Sequence, residues 1–103
     1  MASPEALFDV STRVRVRCEV GSGFTNQEYI VRLSDRSGRS HETWADRRQV
    51  EVENPDQLGT HSATGAVDVR AVEVDEDGAL IELPNETMVG GRRVWIAMAS
   101  IVR

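Results

Sequence analysis

Three arginines at alternating positions are the residues of this chain best placed to bind an anion. On a strand, Arg13, Arg15 and Arg17 would project from one face about 6.5–7 Å apart. Each guanidinium can hold one phosphate through two parallel hydrogen bonds, and nucleic acids present phosphates in rows. The spacing is therefore compatible with a nucleic-acid-binding surface, to which Arg32 would add a fourth guanidinium.

The same three arginines would also suit a ladder of ion pairs with neighbouring strands. Residues 49–53 carry acidic side chains at the same spacing, and Asp68 and Glu73 would face outward on another strand. The chain has a net charge of −5 and few aromatic residues on which bases could stack. These two features favour the ion-pair ladder over nucleic-acid recognition.

Metal binding is the next chemistry that the residue types suggest. Residues 73–80 imitate the first eight positions of an EF-hand calcium loop, but Pro84 stands where the bidentate glutamate is required. The pattern therefore predicts a hairpin turn. The two histidines, His41 and His61, and the single cysteine, Cys18, lack the spacing of a metal site.

Catalytic motifs are missing from the sequence as well. It contains no nucleophile elbow, and its glycine pairs do not form a phosphate-binding loop between a strand and a helix. Serine, histidine and aspartate are present, but only their geometry would identify a triad. We therefore expect a protein that is not an enzyme and that uses no cofactor or metal.

The two tryptophans are the candidate anchors for a protein partner. Tryptophan is usually largely buried, so one exposed beside arginines would be a strong candidate for the centre of an interface. The candidate binding surface consists of Arg13, Arg15, Arg17, Trp44, Arg47, Arg48, Arg92, Arg93 and Trp95.

Short strands separated by turns would have to position these side chains. Residues 13–20 alternate charged and apolar side chains without exception, which is typical of a half-buried strand with its valines facing a core. The valines of the segment 67–74 change phase near residues 70–71, which predicts a bulge or a strand buried on both faces. The other strand patterns cover residues 27–34, 39–44, 49–53, 79–83 and 92–98.

The remaining segments are predicted to be turns, a loop and an arm. Residues 35–38 and 75–78 end in glycine and predict hairpin turns, and residues 45–48 predict a further turn. Residues 54–65 predict a long loop. Residues 1–11 predict an N-terminal arm with at most one helical turn.

Length and composition indicate one domain, residues 1–103. The lone cysteine is compatible with a reducing compartment, and the N-terminus does not resemble a signal peptide. No apolar run approaches the length of about 20 residues that a membrane-spanning helix needs. We therefore expect a cytoplasmic protein with no membrane partner.

Two segments resemble parts of Src-homology-3-like barrels. Residues 94–102, with Trp95 and the final Ile101–Val102 pair, resemble the closing strand, 3₁₀ turn and last short strand of that fold. Residues 6–10 resemble the opening Ala-Leu-aromatic-Asp-aromatic segment of the peptide-binding members, although Val10 replaces the second aromatic. The resemblance implies a small barrel of five to seven strands. It does not imply binding of proline-rich peptides, because the stacking aromatic residues are missing.

We therefore expect an all-β fold, a single small antiparallel barrel of the Src-homology-3-like type, with an oligonucleotide-binding-type barrel or a small sandwich as alternatives. The expected function is a non-catalytic interaction module that binds another protein or itself through strand edges or an aromatic and arginine patch. A nucleic-acid-binding barrel is the second hypothesis, and an enzyme or metal-binding domain is the third.

Overall fold

Eight strands form one curled antiparallel sheet in the part of the chain that the computed structural model describes, residues 13–23, 25–58, 62–85, 87 and 91–102. This arrangement confirms the prediction of an all-β antiparallel fold and has the form of a half-barrel. The strands are β1 (Arg13–Ser22), β2 (Glu28–Ser34), β3 (Ser40–Asp46), β4 (Val50–Val52), β5 (Ala63–Val74), β6 (Gly78–Glu82), β7 (Arg93–Ala97) and β8 (Ile101–Val102).

Two long strands, β1 and β5, run through the whole curl. The main path of the sheet is β3-β2-β1-β5-β6-β7, with β4 added beside β5 and β8 added beside β1. On one side, β5 pairs first with β4 through residues 65–67 and then with β6 through residues 70–74. In the same way, β1 pairs with β8 through residues 15–16 and with β2 through residues 19–22. Both strands therefore change neighbours where the sheet bends.

The alternation of β1 sets which face of the sheet is buried. Val16 and Val20 are fully buried and Cys18 is nearly so, whereas the charged residues between them are exposed. In the pairing with β5, Val16 lies opposite Val67, so apolar side chains from both strands meet on the concave face. The core therefore lies inside the curl, and the arginines of β1 lie on its outer face, as the sequence predicts.

The predicted bulge in β5 is present. Ala71 lies opposite Ile81 and Glu73 lies opposite Leu80, so Val72 is the extra residue. The insertion returns Val74 to the buried face after the change of phase. The bulge is centred one residue beyond the predicted position, and it increases the bend of the strand at the point where β6 joins it.

Two predicted segment boundaries are wrong. β5 begins at Ala63, inside the stretch 54–65 predicted as a loop, because the small residues at positions 63 and 65 occupy buried strand positions without the usual strand composition. A side chain at Gly65 would overlap the carbonyl oxygen of Glu51, so glycine allows β4 to approach. Similarly, β3 continues to Asp46, because Ala45 is buried inside the curl.

The other predictions for the ends and loops are covered only in part. The arm at residues 1–11, the segment 6–10 and His61 lie outside the described residues. The described part of the loop contains a 3₁₀ turn, Pro55–Gln57. The two other described helical segments are also 3₁₀ turns, Arg47–Gln49 and Met98–Ser100. Among the described residues, none of the helical segments has the length and apolar character needed to cross a membrane.

Candidate functional site

The arginines of β1 differ in their ion pairing. Arg15 donates from Nη1 to Oε2 of Glu51 on β4 at 2.6 Å. Arg13 has its Nε 3.4 Å from Oδ1 of Asp68 on β5 and also donates to the Asp68 carbonyl oxygen. Among the residues that the structure describes, no carboxylate lies within ion-pair distance of Arg17. Arg13 and Arg15 therefore belong to an ion-pair ladder, whereas Arg17 is not ion-paired to any described residue.

Arg32 on β2 is committed to two acidic neighbours. Its Nε and Nη2 donate to Oε2 of Glu42 at 3.2 and 2.8 Å, and its Nη1 lies 3.9 Å from Oε2 of Glu19. The hydrogen bond to Glu42 raises the pKa of this guanidinium further above its usual range. Arg32 is therefore less available to bind a phosphate than the sequence alone suggests, because its guanidinium already binds Glu42.

Trp95 is covered by a residue of the β2–β3 turn. Its indole points outward from β7 but is only half exposed, with the guanidinium carbon of Arg36 lying 4.3 Å from the ring centroid. The backbone N–H of Arg36 also donates to the Trp95 carbonyl oxygen at 2.9 Å. A second contact fixes the guanidinium, which donates to Oδ2 of Asp75 at 2.7 Å. The arginine beside Trp95 is thus Arg36, which is not among the residues of the predicted binding surface.

The β2–β3 turn that carries Arg36 is organised by one carboxylate. Oδ1 of Asp35 accepts hydrogen bonds from Ser37 N, Ser37 Oγ and Arg39 N at 2.7–2.9 Å. Oδ2 lies 2.7 Å from Nε2 of His41. The bond to His41, followed by the bond to the Ser37 hydroxyl, holds the pKa of the Asp35 carboxyl well below its usual range.

This lowered pKa predicts a loss of stability in acid. The contribution of Asp35 is complete above about pH 4, the ordinary pKa of an aspartate, and is lost as pH falls toward its lower folded-state pKa. Urea unfolding between about pH 2.5 and 6 should show a stability difference between wild type and Asp35→Asn that narrows on acidification. Asp56→Asn, an exposed change in the 3₁₀ turn after β4, should show little difference at any pH. A constant difference for Asp35→Asn would contradict this assignment.

Arg92 and Arg93 serve mainly to close the end of the β6–β7 hairpin. Arg92 donates from Nε to the carbonyl oxygen of Leu83 and from Nη2 to that of Pro84, both at 3.1 Å. Arg93 has its Nε 3.4 Å from Oε2 of Glu82, directly across the two strands. These contacts occupy both guanidiniums within the hairpin.

Arg47 and Arg48 lie in the 3₁₀ turn after β3. The guanidinium of Arg47 lies over the ring of Tyr29, 4.7 Å from its centroid. Arg48 donates from its backbone N–H and its Nε to Oδ1 of Asp46, the residue that caps the turn. Both arginines therefore stabilise the turn next to Trp44.

Trp44 is the most exposed large apolar side chain in the described part of the protein, with 36% of its surface accessible. It lies on β3, a terminal strand of the sheet path, and its side chain points away from the core. Ile30 lies directly opposite on β2, and Gly21 lies opposite Ile30 on β1. A side chain added at Gly21 would meet no atom of the described residues within 4 Å. We call these three residues the Trp44 row.

The backbone of Trp44 is held by the segment that follows β6. Nδ2 of Asn85 donates to the Trp44 carbonyl oxygen at 2.7 Å, and Oγ1 of Thr43 donates to the Asn85 carbonyl oxygen at 3.0 Å. These bonds link one end of the sheet path to the connection between β6 and β7. The position of the Trp44 row is therefore fixed on two sides, by the β2–β3 ladder and by Asn85.

Hollows and carboxylates surround the Trp44 row. A hollow of about 230 Å³ borders Gly21 and Ile30, and another of about 340 Å³ borders Trp44 and Asn85. Arg32 also borders the first hollow and is ion-paired to Glu42. Arg48, in the 3₁₀ turn after β3, is ion-paired to Asp46 of the second hollow. The border residues with carboxylates are Glu19, Glu28, Glu42 and Asp46. The surroundings of the row are therefore negative on balance.

The structure divides the candidate surface predicted from sequence. Arg13, Arg70, Glu82 and Arg93 form one continuous row across four strands, and Trp95 follows Arg93 on the same face. The Trp44 row lies at the other end of the sheet path. Sequence reasoning missed Arg70 and Ile30, because only the strand register shows that they lie beside the predicted residues.

The chemistry of the described residues is limited. Within the described ranges, no group of three or more histidine, cysteine, aspartate or glutamate side chains could hold a metal ion. Cys18 is buried, and burial, with a smaller effect of Glu19, raises the pKa of its thiol to about 12. The thiol is therefore protonated at neutral pH and is a poor nucleophile there.

No family model matches this chain, and searches of curated proteins and of solved structures found no match either. Function is therefore inferred from the geometry of the chain's own residues.

Proposed function

We propose that this protein is a non-catalytic protein-binding module and that the Trp44 row is its contact surface. The single observation that carries the proposal is the exposure of Trp44 on the outer face of a terminal strand. Exposing a tryptophan forfeits apolar burial, and tryptophans with this placement often dominate the energy of protein interfaces. Ile30 extends the apolar contact, and Gly21 leaves room for a side chain of the partner.

The fixed position of Trp44 supports this role. Its carbonyl oxygen is bonded by Asn85, and its strand is paired with β2 along all seven residues. A contact residue that is already held in place loses less conformational entropy when a partner binds. The Trp44 row therefore presents a preformed surface.

The charges around the row indicate the chemistry of the partner. Four carboxylates border the row, Glu19, Glu28, Glu42 and Asp46, whereas Arg32 is the one arginine among the described residues that line the two hollows, and it is ion-paired to Glu42. A partner that places an apolar side chain over Gly21 and Ile30, with lysine or arginine on either side, would be complementary in shape and charge. A phosphate backbone would be repelled by the same carboxylates.

We also propose a Src-homology-3-like barrel arrangement and a cytoplasmic location. The arrangement is supported by the order of β7, the 3₁₀ turn Met98–Ser100 and β8, which pairs with β1 through Ile101 and Val102. The location is supported by Cys18, a free buried cysteine of the kind that a reducing compartment preserves.

Trp44→Ala tests the function directly. The protein would be immobilised and incubated with an extract of its own cells, and the bound partner would be quantified. The purified partner would then be titrated against wild type and variant. We expect the substitution to weaken binding of that partner by about 2 kcal/mol or more, roughly 30-fold in the dissociation constant. The free energy of unfolding of the variant should change little. Leu80→Ala is the matched control, because Leu80 is an outward, half-buried apolar residue on β6, far along the sheet path.

Three outcomes would contradict the proposal. One is equal binding by wild type and Trp44→Ala. Another is equal weakening by Leu80→Ala. The third is retention on heparin or single-stranded DNA that falls steeply with added salt and is unaffected by Trp44→Ala, which would favour nucleic-acid binding. Sedimentation velocity at several concentrations identifies the case in which the partner is a second copy of the chain.

A further inference from the structure

A polar hollow of about 350 Å³ lies beside β1 where its neighbouring strands leave a gap. The β1–β2 ladder ends at the pair Glu19–Arg32, and β8 pairs only with Arg15 and Val16. Continuing the β1–β2 register would place Arg17 opposite Ser34, but the strands have separated there. Among the described strands, none therefore pairs with residues 17–18 on that edge, and the hollow lies beside this gap.

The side chains around this hollow are mainly hydrogen-bond donors. Arg17 and three serines, Ser34, Ser40 and Ser100, are among the residues that line it. Ser34 and Ser40 lie directly opposite each other at the end of the β2–β3 ladder, so their Cα atoms are about 5 Å apart. An arginine and a pair of serines thus border one small space.

Arg17 differs from the other arginines of β1 in its ion pairing. Arg13 and Arg15 are paired with Asp68 and Glu51, whereas no described carboxylate lies within ion-pair distance of Arg17. Glu19 also borders the hollow, but its carboxylate lies 3.9 Å from Arg32.

We propose that this hollow is an anion site for the terminal phosphate of a phosphate monoester. A guanidinium can donate two parallel hydrogen bonds to two phosphate oxygens, and the serine hydroxyls can donate to the third. A carboxylate has only two oxygens and would leave part of this donor set unused. The phosphate could belong to a small phosphate ester or to a phosphorylated side chain of a partner. This site is separate from the Trp44 row and does not depend on it.

NMR titration of the full-length protein tests the proposal with two probes, O-phosphoserine and a short phosphoserine peptide flanked by alanines. We expect saturable shifts of the amides of residues 17, 34, 40 and 100 with each probe, and none with the unphosphorylated peptide. Equal affinity for both probes would identify a small-molecule phosphate site, whereas tighter binding of the peptide would identify a site for a phosphorylated protein.

Arg17→Gln and Arg15→Gln form a matched pair of variants on the same face of β1. Arg17→Gln should weaken binding of the phosphorylated probes about tenfold or more, because it removes the charged donor. Arg15→Gln should change their binding little, because it removes an arginine that is already bonded to Glu51. Equal weakening by both variants would show a general charge effect and overturn the site. Shifts that do not saturate, or that sodium sulfate and sodium chloride reproduce equally, would also overturn it. Binding of a protein partner at Trp44 is measured separately, so either proposal can fail alone.

Discussion

Gly78→Ala should destabilise the protein by more than about 3 kcal/mol, enough to remove a large part of the stability of a domain of this size. Gly78 begins β6 and lies opposite Ala97 on β7. A methyl group at this position would overlap the carbonyl oxygen of Ile96, a backbone atom that cannot move without breaking the β6–β7 ladder. The cost therefore comes from the close approach of two strands.

Thermal unfolding followed by circular dichroism should show the melting temperature of Gly78→Ala lowered by more than about 12 °C. Gly21→Ala is the matched control, since a methyl group there meets no atom of the described residues within 4 Å. That variant should stay within about 1 kcal/mol of wild type and could gain stability from the reduced freedom of its unfolded chain. If Gly78→Ala were as stable as Gly21→Ala, the close packing of β6 on β7 would be wrong.

Ile81→Ala should cost about 2–5 kcal/mol, because it removes a large side chain from the centre of the core. Ile81 is fully buried and lies between Ala71 of β5 and Val94 of β7. The side chain of Ala71 is too short to fill the cavity that truncation of Ile81 would leave. The free energy of unfolding from urea titration measures the loss.

Ile30→Ala makes the same chemical change on the outer face of the curl. Ile30 is half exposed beside Trp44, so its truncation leaves no enclosed cavity. We expect a clearly smaller cost than for Ile81→Ala, with an effect on partner binding instead. Similar losses of stability for the two variants would contradict the assignment of the inner and outer faces.

Much of the fold follows from local patterns in the sequence. The alternation in residues 13–20 determines which side chains of β1 are buried, because successive side chains on a strand point to opposite faces. The change of phase among the valines of β5 likewise predicts the bulge that the structure places at Val72. Both features depend only on residues that are neighbours in the chain.

The candidate site depends on contacts that no local pattern contains. The sequence identifies Trp44 and Trp95 as equivalent candidates, but Arg36 covers Trp95 only because the β2–β3 turn packs against β7. Similarly, Arg17 differs from Arg15 only through the strand register, which places Glu51 within reach of Arg15. Register and curl arise from the whole sheet, so the sequence predicts the residue types of the site but not which of them remain available.

The two rims of the half-barrel are joined differently from the rest of the sheet. β3 and β7 end the strand path, and polar bonds from Asn85 and Arg36 connect them to the opposite side. These few hydrogen bonds can break one at a time, whereas the hydrogen bonds of a strand ladder break cooperatively. Local opening of the half-barrel should therefore begin where β3 and β7 meet the opposite side. Trp44 lies on β3, at one of these two rims. A partner bound to Trp44 would therefore slow local opening without contacting the core.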